Sequence, residues 1–230
     1  MDIHDNWLLL DTACPRAVVG VSIGGSIAAE TFLGNQKSHA EQLSLGIDEC
    51  LKDTQLSLKQ ITGIAVGRGP GSFVGTRVAL AHAKGLAAGL AIPLIGVGTL
   101  SAFAGDTRLP EGNGLVVTDA RREEFFVHKV RRFSPLIQSQ SPAHTIAQAD
   151  LPDILANLDF LIGNGFTLAA SPPCPVFYAE GPTAAGLLAA LHSRFTTEQC
   201  VDELLTLTPD YCRLPDAKPS AFFGSLNSTK

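Results

Sequence analysis

Two aspartates, a glycine-rich turn and a scatter of unpaired histidines frame the chemistry open to this chain. Asp11 follows the apolar run Trp7-Leu8-Leu9-Leu10 and precedes Thr12, and Asp119 follows Leu115-Val116-Val117-Thr118. Each acid ends a predicted strand and enters a turn. Carboxylates placed so can hold a divalent cation and, through it, the phosphates of a nucleotide. Gly163 and Gly165, after the apolar Phe160-Leu161-Ile162, would then lie against an adenosine. The same acids have a plainer use, because an aspartate at a strand end accepts from the amides of the turn that follows. The segments behind them, Thr12-Ala13-Cys14-Pro15 and Ala120-Arg121-Arg122-Glu123, are poor in the glycine and hydroxyl residues of a phosphate hairpin. An ATP-binding phosphotransferase or ATPase therefore stands as the alternative function.

The glycine turn runs Gly67-Arg68-Gly69-Pro70-Gly71-Ser72-Phe73, then Val74-Gly75-Thr76-Arg77. It joins an apolar run, Ile61 to Val66, to an Ala/Gly/Leu run, Val78 to Leu90. That order predicts strand, turn and helix, with Ser72 as the N-cap. Such a turn can cradle an anion. It is not a Walker A loop, which needs Lys and then Ser or Thr behind its last glycine; Thr76-Arg77 stands there instead. The favoured role is a sharp turn that sets up a small-residue helix, with anion binding near Ser72 as a minor use. Ala79, Ala81, Ala83, Gly85, Ala87, Ala88 and Gly89 allow close approach on several faces, including approach by another chain.

Other chemistries find little. The histidines, at 4, 39, 82, 128, 144 and 192, include no pair spaced for one helical face, so neither HExxH nor HxxxH occurs. No serine sits in GxSxG. The 5 cysteines are odd in number and scattered, which fits reduced thiols in the cytoplasm. With 17 basic and 22 acidic residues the net charge is −5, a poor balance for binding nucleic acid alone. Arg121-Arg122 and Arg131-Arg132 read as surface pairs, with RNA or partner contact as the alternative, and Asp202, Glu203 and Asp210 read as a solvated acidic cluster. The polar start, Met1 to Asn6, is unlike a signal peptide. The longest apolar stretch, Val78 to Leu94, holds His82 and Lys84 and is expected to be a buried helix, not a membrane span.

The elements that position these residues follow in order. Trp7–Leu10, Ala17–Ile23 and Ile27–Leu33 form an antiparallel meander. A helix begins at Ser38, with Glu41 completing a capping box. Its apolar face is Leu43, Ile47, Cys50 and Leu51, while Leu45 falls off that stripe and points to a second packed side. Strand 61–66, helix 74–90, strand 93–97 and a short helix capped by Thr99 complete a βββαβαβα unit. Residues 109–114 read as a linker. Beyond it the pattern restarts, with 115–119 matching the first strand and 125–130 the second, as in a diverged duplication. Residues 147–155 are expected to be helical, with Pro152 as an interruption, and 183–195 form a last helix. The tail from Pro209 lacks periodicity, and its last ten or so residues are expected to be disordered.

Five segments together resemble the TsaB (YeaZ) family. They are Leu9-Leu10-Asp11-Thr12-Ala13, Ser38-His39-Ala40-Glu41-Gln42-Leu43, the full turn Gly67 to Arg77, Ile95-Gly96-Val97-Gly98-Thr99-Leu100, and Asp119-Ala120-Arg121-Arg122-Glu123-Glu124. The resemblance is strong over residues 7–130. It implies an α/β fold of the actin-like, Hsp70-like, sugar-kinase type (ASKHA, RNase H-like). The first lobe would be residues 1–108 and a reduced second lobe 109–230. It also implies a non-catalytic scaffold and activating subunit in tRNA modification. The partner, a TsaD-like transferase, places N6-threonylcarbamoyl on adenosine 37 of ANN-reading tRNAs. A TsaE-like ATPase joins the pair, and homodimers form as well. ATP and metal belong to the partner proteins, with no cofactor or metal expected on this chain, no membrane, and tRNA reached through the complex. The expected partner interface is on the first-lobe helices, at Leu43, Ile47, Cys50, Leu51, Val78, Ala81, His82, Gly85 and Gly89. Asp11, Thr12, Asp119, Gly163 and Gly165 become a vestigial nucleotide cleft. The older idea of a glycoprotease finds no nucleophile or metal site here.

Overall fold

The computed structural model describes residues 3–34, 39–168, 171–197 and 204–212. The expected Ser38 cap, the acids Asp202 and Glu203, and the tail beyond 212 lie outside the described residues.

The first half forms β1 (Trp7–Asp11), β2 (Ala17–Ile23), β3 (Ser26–Leu33), α1 (His39–Asp53), β4 (Gly63–Gly67), α2 (Phe73–Leu90), β5 (Leu94–Val97) and α3 (Thr99–Ala104). This is the predicted order of elements. The sheet runs β3-β2-β1-β4-β5. Its first three strands are antiparallel, and β4 and β5 continue parallel to β1. Every residue of β1 and β4 is buried. Strands covered on both faces read as unbroken apolar runs, which is why these were visible in the sequence.

The second half forms β6 (Gly112–Arg121), β7 (Glu124–Phe133), β8 (Leu136–Ser139), β9 (His144–Ala147), β10 (Phe160–Gly163), β11 (Val176–Tyr178) and α4 (Ala184–Thr197). Read from β8, its sheet runs β8-β7-β6-β10-β11, with β9 added beside β7. The directions repeat those of the first sheet: β6 is antiparallel to β7 and parallel to β10, and β10 is parallel to β11. The duplicated pattern thus returns as a duplicated topology.

Two expectations change here. The linker is shorter than 109–114, because Leu109 is buried, Arg132 donates to its carbonyl at 2.8 Å, and β6 already starts at Gly112. The segment at 147–155 is a 3-10 turn, Gln148–Ile154, with Pro152 inside it. A proline has no N–H for an α-helical bond, and its ring obstructs the preceding turn.

The helices interlock the halves. On one face of the first sheet, α1 and α2 bury Leu43, Ile47, Leu80 and Ala83 against Leu8, Leu10 and Val66. The opposite face is covered by α4, whose Leu187 and Leu191 meet Trp7, Leu9 and Ala65. In exchange, α3 sends Leu100 and Phe103 onto Val116, Phe160 and Ile162 of the second sheet. The two exchanged helices cross at glycines: a Cβ added to Gly105 would lie 2.7 Å from the Gly186 Cα. The outer face of the second sheet is closed by Leu151, Leu155 and Phe166 against Leu115, Val117 and Leu161. A 3-10 turn and loops do there what α1 and α2 do in the first half.

The small-residue helix α2 is not buried all round, as was expected. Ala79, Leu80, Ala83 and Ala87 face the core, whereas Ala81, Gly85, Ala88 and Gly89 are exposed. A Cβ at Gly85 or Gly89 would meet nothing within 4 Å. Among the described residues, no helix is long and apolar enough to cross a membrane.

Candidate functional site: the cleft behind the glycine turn

Asp11 closes β1 and is fully buried. Its Oδ1 accepts from the Ala13 N–H at 2.7 Å, and its Oδ2 accepts from the Thr99 hydroxyl at 2.7 Å. The Thr99 oxygen in turn accepts from the Gly69 N–H at 3.0 Å. Burial pushes the carboxyl pKa up to about 6, against the opposing pull of the Ala13 and Thr99 bonds. Gly67 must be glycine because a Cβ there would overlap the Asp11 carboxylate. Thr99 was expected to cap α3; it is instead the first helical residue, behind Gly98 as N-cap, and its hydroxyl is committed to Asp11.

The glycine turn is pinned from both sides. The Arg68 N–H donates to the Val97 carbonyl at 2.9 Å, and the Ser72 N–H donates to the Ala13 carbonyl at 2.7 Å. Ser72 is the N-cap of α2, its Oγ accepting from the Gly75 N–H at 3.1 Å. Thr12 donates its hydroxyl to the Gly75 carbonyl at 2.6 Å, and a Cβ on Gly75 would overlap the Thr12 carbonyl. Turn and β1–β2 connection therefore form one welded unit. Phe73 and Arg77 stand on its outer side, the Arg77 guanidinium 3.3 Å above the Phe73 ring.

Across from this unit lies the β6–β7 turn. Asp119 accepts from the Arg121 N–H at 2.7 Å and pairs with its guanidinium at 3.2 Å. Arg121, Arg122 and Glu123 have φ of 63°, 55° and 60°, three successive non-glycine residues in the left-handed region. The Asn164 N–H donates to the Val117 carbonyl at 3.0 Å, which seats Gly163 and Gly165 beside the end of β6. Between the two walls is a cleft of about 1120 Å³. Asp119, Gly165, Ser72, Phe73 and Arg77 line it, together with Thr118 and Cys14.

The expected nucleotide residues are thus only partly gathered. Asp119 and Gly165 reach the cleft, and Gly163 lines a smaller recess of about 620 Å³ behind it with Arg16 and Arg108. Asp11 and Thr12 are sealed beneath the wall. Among the described residues, no group of three His, Cys, Asp or Glu could hold a metal ion.

The expected interface residues divide as well. Leu43, Ile47, Cys50 and Leu51 are core side chains, so they do not form the outer surface of α1. Leu45, expected on a second packed side, is 63% exposed. Val78 packs against the same core, and half-buried His82 has its Nε2 3.3 Å from the Ser44 Oγ. Ala81, Gly85 and Gly89 are on the open face of α2.

One segment was missed by sequence reasoning. Residues 204–212, which enter the stretch from Pro209 that reads as an aperiodic tail, run over the first half of the chain to the cleft. Leu207 is buried in the core under α1 and α2. The Asp210 N–H donates to the Arg68 carbonyl at 2.6 Å. The Tyr211 ring lies 6.1 Å from that of Phe73, and the Cys212 thiol donates to the Ala143 carbonyl in the second half at 3.3 Å. The available signal was the pair Leu204 and Leu207, a short apolar spacing before Pro209.

Comparison with known proteins completes the picture. The family described as TsaD, tRNA N6-adenosine threonylcarbamoyltransferase, matches residues 32–230. An uncharacterised protein of Mycobacterium tuberculosis is 32% identical over 222 residues, covering 93% of this chain and 94% of its own. The tRNA threonylcarbamoyladenosine biosynthesis protein TsaB of Haemophilus influenzae is 35% identical over 127 residues, 54% of this chain and 53% of the relative. The Escherichia coli protein of the same name is 33% identical over 132 residues, 54% of each. The solved structure of YeaZ from Pseudomonas aeruginosa matches with a TM-score of 0.77 at 22% identity, covering 90% of this chain and 99% of that one. At that identity it speaks for the fold, which is the actin-like one. The chain belongs to the TsaD family of tRNA N6-adenosine threonylcarbamoyltransferases and related proteins, in its TsaB (YeaZ) group.

Proposed function

We propose that this chain is a non-catalytic subunit of tRNA threonylcarbamoyladenosine biosynthesis in the cytoplasm. Its role is to bind a TsaD-like transferase and hold it in its competent state, with a TsaE-like ATPase joining the pair. The transferase would carry the group to adenosine 37 of ANN-reading tRNAs. The names of the Haemophilus and Escherichia relatives support the pathway. The observation that carries the non-catalytic reading is the state of Asp11. Both of its oxygens are taken by Ala13 and Thr99, beneath the cleft wall, so it offers nothing to a nucleotide-bound cation. The binding surface is the open face of α2, where Ala81, Gly85 and Ala88 leave room for a second backbone to approach. The same face would serve a homodimer.

Reconstitution of tRNA modification with and without this chain tests the proposal. Activity that requires the chain is expected, and full activity in its absence overturns the role. Calorimetry with Mg-ATP on the isolated chain tests the non-nucleotide reading. Tight binding that is lost in Asp11→Asn would establish a nucleotide enzyme instead.

A further inference from the structure

The last described residues lie in the cleft. Pro209, Asp210, Tyr211 and Cys212 all line it. They cross its mouth from one wall to the other. The Asp210 N–H donates to the Arg68 carbonyl of the glycine turn, and the Cys212 thiol donates to the Ala143 carbonyl in the second half. The chain beyond Cys212 therefore sets out from the cleft itself. It runs from Arg213 to Lys230, and within it the stretch Pro219-Ser220-Ala221-Phe222-Phe223-Gly224-Ser225-Leu226 carries no charge. From Cys212 to Phe222 the backbone can span up to about 35 Å, ample for a return into the cleft.

The cleft suits an uncharged, apolar occupant. Ala13, Pro15, Pro70, Ala120 and Phe126 line it. Its arginines, Arg77, Arg121 and Arg122, are matched by Asp119, Glu180 and Asp210, and Asp119 pairs with Arg121. Net charge thus draws in neither an anion nor a cation. At the mouth, Phe73 is 60% exposed and Tyr211 50% exposed, with their rings 6.1 Å apart. Exposed aromatic surface at the edge of a cleft marks a place where something binds. The volume of about 1120 Å³ lies above the roughly 300–1,000 Å³ of small-molecule pockets, which leaves room for a short stretch of polypeptide.

We propose that the cleft is the seat of the chain's own segment 219–226, with Phe222 and Phe223 inserted against Phe126 and the rings of Phe73 and Tyr211. This goes beyond the subunit role and does not depend on it. The tether decides the occupant: a segment held at Cys212 meets the cleft at an effective concentration on the order of millimolar, well above that of a separate peptide. The lack of periodicity that led to an expectation of disorder argues against a helix or strand in the tail, not against insertion of two rings. Seated there, the segment closes the cleft, and any other ligand has to displace it.

The test is NMR on the full chain. In the wild type, backbone order parameters of Phe222 and Phe223 should approach the value of about 0.85 of a rigid backbone; values under about 0.6 overturn the proposal. The double variant Phe222→Ala, Phe223→Ala should shift the amides of Cys14, Phe73, Ala120 and Phe126, and changes confined to the tail overturn it. The pair Ser228→Ala, Thr229→Ala, outside the segment, should leave those cleft amides where they are. A synthetic peptide of residues 218–228 should bind the Phe222, Phe223 double variant saturably and restore the wild-type shifts. It should bind the wild type at least about tenfold more weakly, because there the seat is taken. Equal affinity for the two proteins, or no binding to the double variant, refutes the seat. The wild-type cleft shifts should also be independent of protein concentration. Their loss on dilution would place the segment in the cleft of a second copy and overturn the intramolecular contact.

Discussion

Thr99 and Asp11 are joined by a 2.7 Å hydrogen bond across 88 positions of sequence, with the hydroxyl donating to Oδ2. The bond ties the start of α3 to the end of β1, and the Gly69 N–H completes the chain of donors. An acid that could have met a cation is thereby turned into a fastener for the glycine turn. This relationship makes a pH-dependent prediction.

Asp11 has its pKa raised from 3.8 to about 6 by burial. The folded state therefore holds the proton more tightly than the unfolded chain. Its contribution to stability is fully present below pH 3.8 and is lost as pH rises through about 6. The difference is on the order of 3 kcal/mol. Asp11→Asn cannot titrate. In urea unfolding, wild type should lose about 3 kcal/mol relative to the variant between acid and neutral pH. Equal pH profiles for the two proteins would refute this account of Asp11.

Gly85→Arg should abolish capture of the transferase partner while leaving the fold unchanged. The site is exposed with open space around it, and arginine favours a helix more than glycine does. Pull-down at unchanged affinity, with circular dichroism matching the wild type, would move the interface elsewhere.

Leu43 and Leu45 should behave oppositely, although they are neighbours on α1. Leu43→Ala removes a fully buried side chain and should cost about 2–5 kcal/mol in chemical unfolding. Leu45→Ala, at a site 63% exposed, should change stability by less than about 0.5 kcal/mol. An unfolding midpoint for Leu43→Ala close to that of the wild type would contradict the assignment of this face to the core.

Gly186→Ala should destabilise through overpacking, because the new Cβ would overlap the Ala102 carbonyl where α4 crosses α3. The expected cost is about 1–3 kcal/mol. For a chain of this size that lowers the melting temperature by roughly 2–4 °C per kcal/mol. A melting temperature equal to that of the wild type would show that the crossing has slack.

The first-half order of elements and the repeat in the second half could be read directly, because β1, β4 and β6 are apolar runs that end in recognisable turns. Ser72 as the cap of α2 was equally legible, since its signal lies within three residues. What escaped was long-range. Nothing near Thr99 announces Asp11, and nothing near Leu207 announces the core under α1 and α2. The apolar stripe of α1 was visible, but periodicity marks a face as apolar without saying whether the chain itself or a partner covers it. In this chain α1 covers it with its own sheet, and the open face of α2 is marked by small residues instead.

The exchange of α3 and α4 between the sheets bears on how this molecule comes to be folded. When synthesis has delivered α3, the surface of the first sheet around Trp7, Leu9 and Ala65 still awaits Leu187 and Leu191 of α4, the last described helix to leave the ribosome. Meanwhile Leu100 and Phe103 have no second sheet to meet. Neither half can close the core between the sheets before the other exists. Closure of that layer is therefore a late step made of contacts distant in sequence, and the nascent first half carries exposed apolar surface on that side until it happens.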